Sequence, residues 1–453
     1  MAIQKTVDVN TFLDERPMGR RQWLVVTLGV LILILDGFDT TMIGFIAPAL
    51  IEDWGVARHD LGPLMMSGLI GLAIGSLISG PLADRFGRKF VIITSVVFFG
   101  LWCLASAFAN DLTTLTVLRF LTGLGLGASM PNTSTLVSEF APKKRRSHLV
   151  TSAYCGFAAG GALGGLASEH LIELFGWRSV FVVGGVLPLI LAVALIFCLP
   201  ESIRFMIIAG KAKEKIVAAV NALVPGLSDA KSEFINSEYG AQKLGDSNAK
   251  IGIRGLFDIK YRLGTFMVWI SMFMGLLTMY LLGNWLPIIV SAEGYTLSQA
   301  AIIGAMLQLG GVFGNFTMGM KMDRWEKNTV VSLTMAGGAI MSLMIALMGH
   351  TAISIGILIF IMGYFSNAVN TGCFALATAF YPTQMRATGV SWVSGIGRLG
   401  AIFGAGFGAV IIGQHWSMSQ IFVFLCIPPL IGVIATQVKR RSENKRAKSA
   451  VVN

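Results

Sequence analysis

The sequence predicts an all-α membrane protein with twelve transmembrane helices in two six-helix bundles. Apolar residues make up 54% of the 453 residues and charged residues only 13%, with a mean hydropathy of +0.72. Apolar runs of about 18 residues or more recur along the chain, and a helix of that length crosses a hydrocarbon core of roughly 30 Å. The runs lack the alternating pattern of barrel strands. Helices are therefore the predicted spanning structure.

The first six apolar runs predict an N-terminal bundle over residues 22–199, preceded by an N-terminal segment, 1–21. The predicted spans are 22–50, 60–80, 90–109, 113–138, 148–172 and 177–199. A polar segment, 200–262, follows and is predicted to be a linker outside the membrane.

Six further runs predict a C-terminal bundle over residues 263–438. The predicted spans are 263–290, 298–320, 329–349, 353–378, 387–412 and 418–438. Residues 439–453 are rich in lysine and arginine and form the predicted basic tail.

Basic residues fall in alternate loops, which predicts the orientation of the chain. They cluster at 84–89 and 143–146, in the linker and in the tail, whereas the loops at 51–59, 110–111 and 291–294 hold one arginine between them. By the positive-inside rule, both termini are expected to be cytoplasmic, in a bacterial inner membrane. This distribution also accounts for the net charge of +11, and no nucleic-acid partner is expected.

The two halves of the sequence repeat each other. Residues 80–85 (GPLADR) match residues 319–324 (GMKMDR), and residues 140–146 match 380–386 in their Phe, Pro and Arg. The two matches share nearly the same offset along the chain, so they indicate an internal repeat. Such repeats are typical of transporters.

The segment at 80–89 (GPLADRFGRK) resembles the Gly-x-x-x-Asp-Arg-x-Gly-Arg-Arg/Lys signature of the major facilitator superfamily. Residues 119–127 (RFLTGLGLG) are similar to its fourth-span signature, and 200–202 (PES) closes the sixth span as in many members. The second-half copy is weaker, because Glu326 stands where Gly87 stands in the first. The resemblance implies transport by alternating access of two bundles, with no cofactor.

Residues 36–39 (DGFD) look like the Asp-Gly-x-Asp motif of the aromatic acid:proton symporter family within that superfamily. That family imports aromatic carboxylates such as 4-hydroxybenzoate, protocatechuate and benzoate into bacteria that degrade them. The resemblance implies the same substrate class here, carried together with protons. We expect the protein to act as a monomer in the lipid bilayer.

Asp36 and Asp39 lie inside the first span, one helical turn apart and so on one face. A charge inside a span costs at least about 2.5–3.5 kcal/mol, which predicts a function for both. Two neighbouring carboxyls in low dielectric do not easily ionise together, so one can hold a coupling proton. The alternative is that one aspartate only neutralises a buried arginine.

Histidines are absent from the middle of the predicted spans, which leaves no imidazole relay there. They are His59, His148, His170, His350 and His415.

Two arginines lie inside predicted spans. Arg119 in span four is at a depth comparable to that of Asp39, so an ion pair between them is predicted, either as part of the coupling or as a static packing bridge. Arg398 in span eleven lies deeper, and its planar fork suits a carboxylate. The alternative is that Arg398 pairs with an acid of the first half and holds the halves together.

An aromatic acid also needs a stacking surface and polar partners for its ring substituents. The predicted substrate-contacting residues in spans one, seven and ten are Phe38, Tyr280, Asn284, Trp285, Tyr364, Asn367 and Asn370. The alternative for each aromatic residue is a lipid-facing or core position, and for each asparagine a hydrogen bond between helices.

Charged and glycine residues at the loop signatures are predicted to act in gating, through ion pairs that form in one state and break in the other. They are Gly80, Asp84, Arg85, Gly87, Arg88, Glu139, Asp323 and Arg324. The alternative is that these charges only hold the orientation of the chain.

Other functions remain open. They are a transporter of another organic anion, such as a muconate-type dicarboxylate, a drug:proton antiporter, and a transporter-like sensor that signals through residues 200–262. The two arginines in the spans argue against cationic drugs. An enzyme is not expected, because the sequence has no metal-ligand spacing, nucleophile elbow or phosphate-binding loop.

Overall fold

Twelve helices in the computed structural model are long and apolar enough to cross a membrane, as the sequence predicts. The model describes residues 6–8, 13–14, 16–142, 145–223, 233–235, 253–349, 351–381, 383–414 and 416–452.

The first half of the chain forms six long helices, with a short 3₁₀ turn at Arg58–Leu61 between the first two. They are α1 (Arg20–Trp54), α2 (Gly62–Phe86), α3 (Arg88–Ser106), α4 (Leu112–Phe140), α5 (Arg146–Phe175) and α6 (Arg178–Cys198).

The linker contains more regular structure than the sequence predicts. Its described parts include three short helices, Ile203–Ile208, Lys213–Leu223 and Ile253–Leu256. A short strand, β1 (Thr6–Asp8), pairs in parallel with β2 (Glu233–Ile235), so the N-terminal segment and the linker are joined outside the helical bundle.

The second half forms six more helices, of which the last is interrupted. They are α7 (Arg262–Ala292), α8 (Leu297–Arg324), α9 (Lys327–Met348), α10 (Ala352–Phe380), α11 (Thr383–Gly413) and α12 (Met418–Phe424 and Ile427–Val452). The interruption precedes Pro428 and Pro429, which lack the amide hydrogens that a continuous helix needs. Because α12 continues to Val452, the basic tail is an extension of the last helix.

Side-chain caps fix where several helices begin. Asp111 accepts a hydrogen bond from the amide of Thr114 at the start of α4, at 2.8 Å, and the bonds from Thr114 hold the pKa of Asp111 below its usual range. Thr296 and Gln299 form a capping box at the start of α8. These caps satisfy amides that have no partner within the helix.

The halves pack by the same rule, as the internal repeat predicts. In the first half α2 packs on α4 and α1 on α5, and in the second half α8 packs on α10 and α7 on α11. Glycine makes the close crossings possible. A Cβ on Gly160 of α5 would lie 1.9 Å from the carbonyl oxygen of Ile34, and one on Gly310 of α8 would lie 1.9 Å from that of Phe360.

We call the end of the bundle that carries the 86–88 and 324–327 loops the basic end, and the other the distal end. The two halves touch in the distal part of the bundle. A Cβ on Gly44 of α1 would lie 2.8 Å from the carbonyl oxygen of Gly283 in α7, and one on Gly161 of α5 would lie 2.8 Å from the Gln308 amide in α8.

Toward the basic end the helices of the two halves separate. Gly80 of α2, Gly319 of α8 and Gly395 of α11 have no atom outside their immediate surroundings within 4 Å of the position of an added Cβ. The bundle is therefore open at the basic end and closed at the distal end.

The tight crossing at Gly160 gives a direct test of this packing. We expect Gly160→Ala to destabilise the protein by about 1–3 kcal/mol, because the added methyl overlaps the backbone of α1. Gly356→Ala in α10 is the matched control, since a Cβ there has open space. Thermal unfolding in detergent measures both; equal melting temperatures for the two variants would contradict the packing of α1 on α5.

Candidate functional site

A buried ion pair joins α1 to α4. Arg119 donates from Nη1 to Oδ1 of Asp39 at 3.0 Å and from Nη2 to Oδ2 at 2.8 Å, and Nη2 also donates to the Asp39 carbonyl at 3.1 Å. Asp39 is 0% and Arg119 3% exposed. The pair predicted from the depths of these residues is present, and its two-pronged geometry is the strongest form of such a contact.

Asp36 lies one turn from this pair but has a different environment. The Ser129 hydroxyl of α4 donates to its Oδ2 at 2.5 Å, and its Oδ1 is buried with no partner among the described residues. No described cation forms an ion pair with it. A buried charge without a compensating partner is costly, so this site suits a carboxyl that carries a proton. Ser129 was not predicted from the sequence.

A small cavity adjoins the ion pair where α1 and α4 face α7. Thr40, Arg119 and Asn284 are among the residues that line it, and its volume is about 20 Å³, enough for about one water molecule. The Thr40 hydroxyl is buried with no partner among the described residues. The predicted contact residue Asn284 thus lies beside Arg119, at the junction of the halves.

Arg398 of α11 crosses to the first half. Its Nη1 donates to the Leu72 carbonyl of α2 at 3.2 Å and to the Ser76 hydroxyl. The predicted alternative was a first-half acid; the first-half partners are instead a hydroxyl and a carbonyl, and no acid pairs with Arg398 in the described part of the chain. Tyr280 of α7 and Tyr154 of α5 lie within electrostatic range of it. Ser76 and Tyr154 were not predicted.

Two of the predicted aromatic residues lie inside their own halves. Phe38 is buried in the first half, where its ring faces Gly164 of α5 and Gly184 of α6. Trp285 is fully buried, and its indole donates to the Ala405 carbonyl of α11 at 2.6 Å. The structure therefore gives both residues packing partners and places neither at the opening between the halves.

The predicted residues of α10 face α8. The Tyr364 hydroxyl contacts Thr317 at 2.7 Å and accepts from Lys321, a cation near the basic end of α8 for which no role was predicted. Asn367 donates to the Gly363 carbonyl of its own helix at 3.2 Å. Asn370 keeps a buried Oδ1 with no partner within the described residues.

At the basic end, the first-half signature forms a charge network. Arg88 pairs with Asp84 at 3.1 Å and with Glu139 of α4 at 3.5 Å. Glu201, from the 200–202 segment, accepts the backbone amides of Arg88 at 3.0 Å and Lys89 at 3.2 Å. Its charge therefore sits at the N-terminus of α3, where the helix dipole favours an anion.

Gly87 is required by this arrangement for two reasons. Its φ of +100° is a backbone conformation that favours glycine, and a Cβ would lie 2.2 Å from the Glu201 carboxylate. The other two predicted gating residues of this loop make fewer contacts: Gly80 has open space around it, and Arg85 lies over the Phe86 ring at 5.3 Å.

The second-half loop is built differently, which explains the weaker signature. Glu326, at the position of Gly87, caps α9 by accepting the amides of Asn328 at 3.0 Å and Thr329 at 2.7 Å. Burial raises the pKa of Glu326, but the hydrogen bonds from Thr329 and Asn328 outweigh it and hold the pKa below its usual range. Arg440 of α12 pairs with Glu326 at 3.3 Å.

Some predicted residues cannot be placed by their side chains. The side chain of Asp323 lies outside the described part of the structure, as do His350, His415 and Pro382. Arg324 is exposed at the end of α8.

The sequence matches the model of the Major Facilitator Superfamily over residues 29–360 and 268–452. A xylose transporter from E. coli in an inward-open conformation has a similar structure, with a TM-score of 0.70 at 17% identity over 92% of this chain and 95% of that one. At that identity the likeness shows the fold alone, and it confirms the predicted architecture.

Full-length relatives share more of the sequence. A 4-hydroxybenzoate transporter of Pseudomonas putida is 42% identical over 97% of this chain and 97% of its own length. A gallate transporter of Pseudomonas putida is 40% identical over 96% and 95%. A benzoate transport protein of Acinetobacter baylyi is 31% identical over 95% and 92%.

A double-mutant cycle tests the buried ion pair. We expect Asp39→Asn and Arg119→Gln each to cost about 3–5 kcal/mol, because each leaves the other residue buried without its partner. The double variant is expected to be at least about 2 kcal/mol more stable than the sum of the single effects. Reversible unfolding in detergent measures the four proteins.

Thr41→Val combined with Arg119→Gln is the control for this cycle. The Thr41 hydroxyl bonds to its own helix at Gly37, so these two effects should add. Additive costs for Asp39 and Arg119 would show that the pair contributes no coupling energy.

Proposed function

This chain belongs to the major facilitator superfamily, and we propose that it is a symporter that imports aromatic carboxylates together with protons. The relatives that cover nearly its whole length are transporters of 4-hydroxybenzoate, gallate and benzoate. The substrate proposed here is therefore a small benzoate-type anion.

The observation that carries this proposal is the environment of Arg398. Of the two arginines inside the bundle, Arg119 has its acid in Asp39, whereas Arg398 contacts only a hydroxyl and a carbonyl. A half-buried guanidinium without an acidic partner attracts an anion, and a carboxylate satisfies its fork with two parallel hydrogen bonds. We assign Arg398 as the site of the substrate carboxylate, with Tyr280 and Tyr154 beside the ring.

The proposed proton site is Asp36. It is as deeply buried as Asp39 but has no described cation to compensate its charge, so a proton is the simplest compensation. Asp39 would remain an anion beside Arg119. Protonation of Asp36 removes one negative charge from the face that α1 presents to α4, and thereby changes the field at the buried ion pair.

We propose that the two halves rock about the central contacts to expose these groups alternately to the two sides. In this account the basic end and both termini are cytoplasmic and the membrane is the bacterial inner membrane. The working unit would be the monomer. Asp84, Arg88 and Glu139, together with Asp323 and Arg324 in the second half, would stabilise one of the two states.

Charge balance constrains the stoichiometry. One proton carried with a monovalent carboxylate makes the cycle electroneutral, whereas each further proton gains about 2.3 kcal/mol per 100 mV from an inside-negative potential. Any dependence of uptake on membrane potential therefore indicates more than one proton.

Uptake of labelled 4-hydroxybenzoate in cells tests the function. We expect uptake to collapse with a protonophore and in Asp39→Asn, and to be reduced by protocatechuate and benzoate but not by glucose. Normal membrane levels of a folded protein that shows no uptake, or uptake indifferent to the proton gradient, would contradict the proposal.

The same assay tests Arg398. We expect Arg398→Lys to raise KM about tenfold or more, because lysine keeps the charge but loses the two-pronged hydrogen bonding, worth at least about 1.5 kcal/mol. Lys321→Arg, at the α8–α10 contact, is a control in which the charge is also kept. An unchanged KM for Arg398→Lys would remove Arg398 from the substrate site.

A further inference from the structure

The contact between α2 and α11 ends at Arg398. On the distal side, a Cβ on Gly62 of α2 would lie 2.9 Å from the Ala409 methyl, and one on Gly406 of α11 would lie 2.4 Å from the Met66 sulfur. On the basic side, Gly80 and Gly395 have open space. Arg398 therefore lies at the vertex where the two halves begin to separate.

The two acceptors of Arg398 both belong to α2. One is the Leu72 carbonyl, at 3.2 Å, and the other is the Ser76 hydroxyl. The Ser76 hydroxyl donates its own hydrogen to the Ala73 carbonyl at 2.8 Å, which leaves its lone pairs free to accept from the guanidinium. The second half thus holds the first through one side chain and two oxygens.

These oxygens occupy the hydrogen-bonding positions that a carboxylate would fill. A carboxylate offers two charged oxygens in one plane and binds a guanidinium more strongly than a neutral hydroxyl and carbonyl do. If a carboxylate takes Arg398, Ser76 keeps its bond to Ala73 and no donor is left unpaired. The exchange of partners is therefore inexpensive for α2.

We propose that Ser76 and the Leu72 carbonyl form a latch that holds Arg398 in the empty carrier, and that the substrate carboxylate opens it. We call this contact the α2–α11 latch. The inference rests on the proposed function, because it takes the ligand of Arg398 to be a carboxylate. In this account Ser76 is a positioning residue that stabilises the state open at the basic end and competes with the substrate.

The first test measures the conformation of the empty protein. Spin labels at Glu173→Cys, at the distal end of α5, and at Ala292→Cys, at that of α7, report the separation of the halves from two exposed positions. Without substrate, we expect Ser76→Ala to increase the population with a long distal separation. Ser76→Thr, which keeps a hydroxyl, should restore the wild-type distribution.

Ser67→Ala is the matched control for the loss of a hydroxyl from α2. The Ser67 hydroxyl donates to the Leu64 carbonyl at 2.8 Å, as Ser76 does to Ala73, and it has no contact with α11 in the described structure. We expect the wild-type distribution for Ser67→Ala. A distribution that Ser76→Ala leaves unchanged, or that both variants shift alike, would overturn the latch.

The second test measures binding of 4-hydroxybenzoate to the purified protein. Because Ser76 competes for Arg398, we expect Ser76→Ala to lower the Kd about threefold to tenfold, with no change for Ser67→Ala. A raised or unchanged Kd would also overturn the latch. If the wild-type protein binds no 4-hydroxybenzoate, the proposed substrate fails, and the spin-label distances still decide whether the latch exists.

Discussion

A charge inside a membrane protein persists only where another group compensates it, and the polar interior of this bundle follows from that constraint. Asp39 and Arg119 compensate each other between α1 and α4. The pair lies in the first half, while the small cavity beside it is also lined by Asn284 of the second. The site of charge compensation is thus also a place where the two halves meet.

The two interior arginines show two solutions to the same constraint. Arg119 has a permanent partner and so ties helices within one half together. Arg398 has weaker partners, and these belong to the opposite half. A fixed ion pair gives a rigid unit, whereas a guanidinium held by exchangeable oxygens suits a surface that has to open. The distinction between the two assigns Asp39 and Arg119 to coupling and Arg398 to the substrate.

Residue types and spacing predicted the parts of the site that depend on charge. Asp36 and Asp39, one turn apart, and Arg119 at matching depth were enough to predict the pair. Hydroxyl partners such as Ser129 and Ser76 were missed, because serine is common in membrane helices and only the rotation of each helix decides which serine faces a charge. The same rotation turns Trp285 toward Ala405, which no periodicity in an evenly apolar helix can reveal.

The central claim, that the buried carboxyls of α1 couple carboxylate transport to protons, is tested most directly by proton flux. Purified protein in liposomes with an internal pH dye, and no initial pH gradient, would receive external 4-hydroxybenzoate, with protein-free liposomes as the control. The account predicts that the protein acidifies the interior more than passive entry of the acid does in the control, and that Asp36→Asn abolishes this difference. Substrate entry without proton movement, or undiminished acidification by Asp36→Asn, would contradict it.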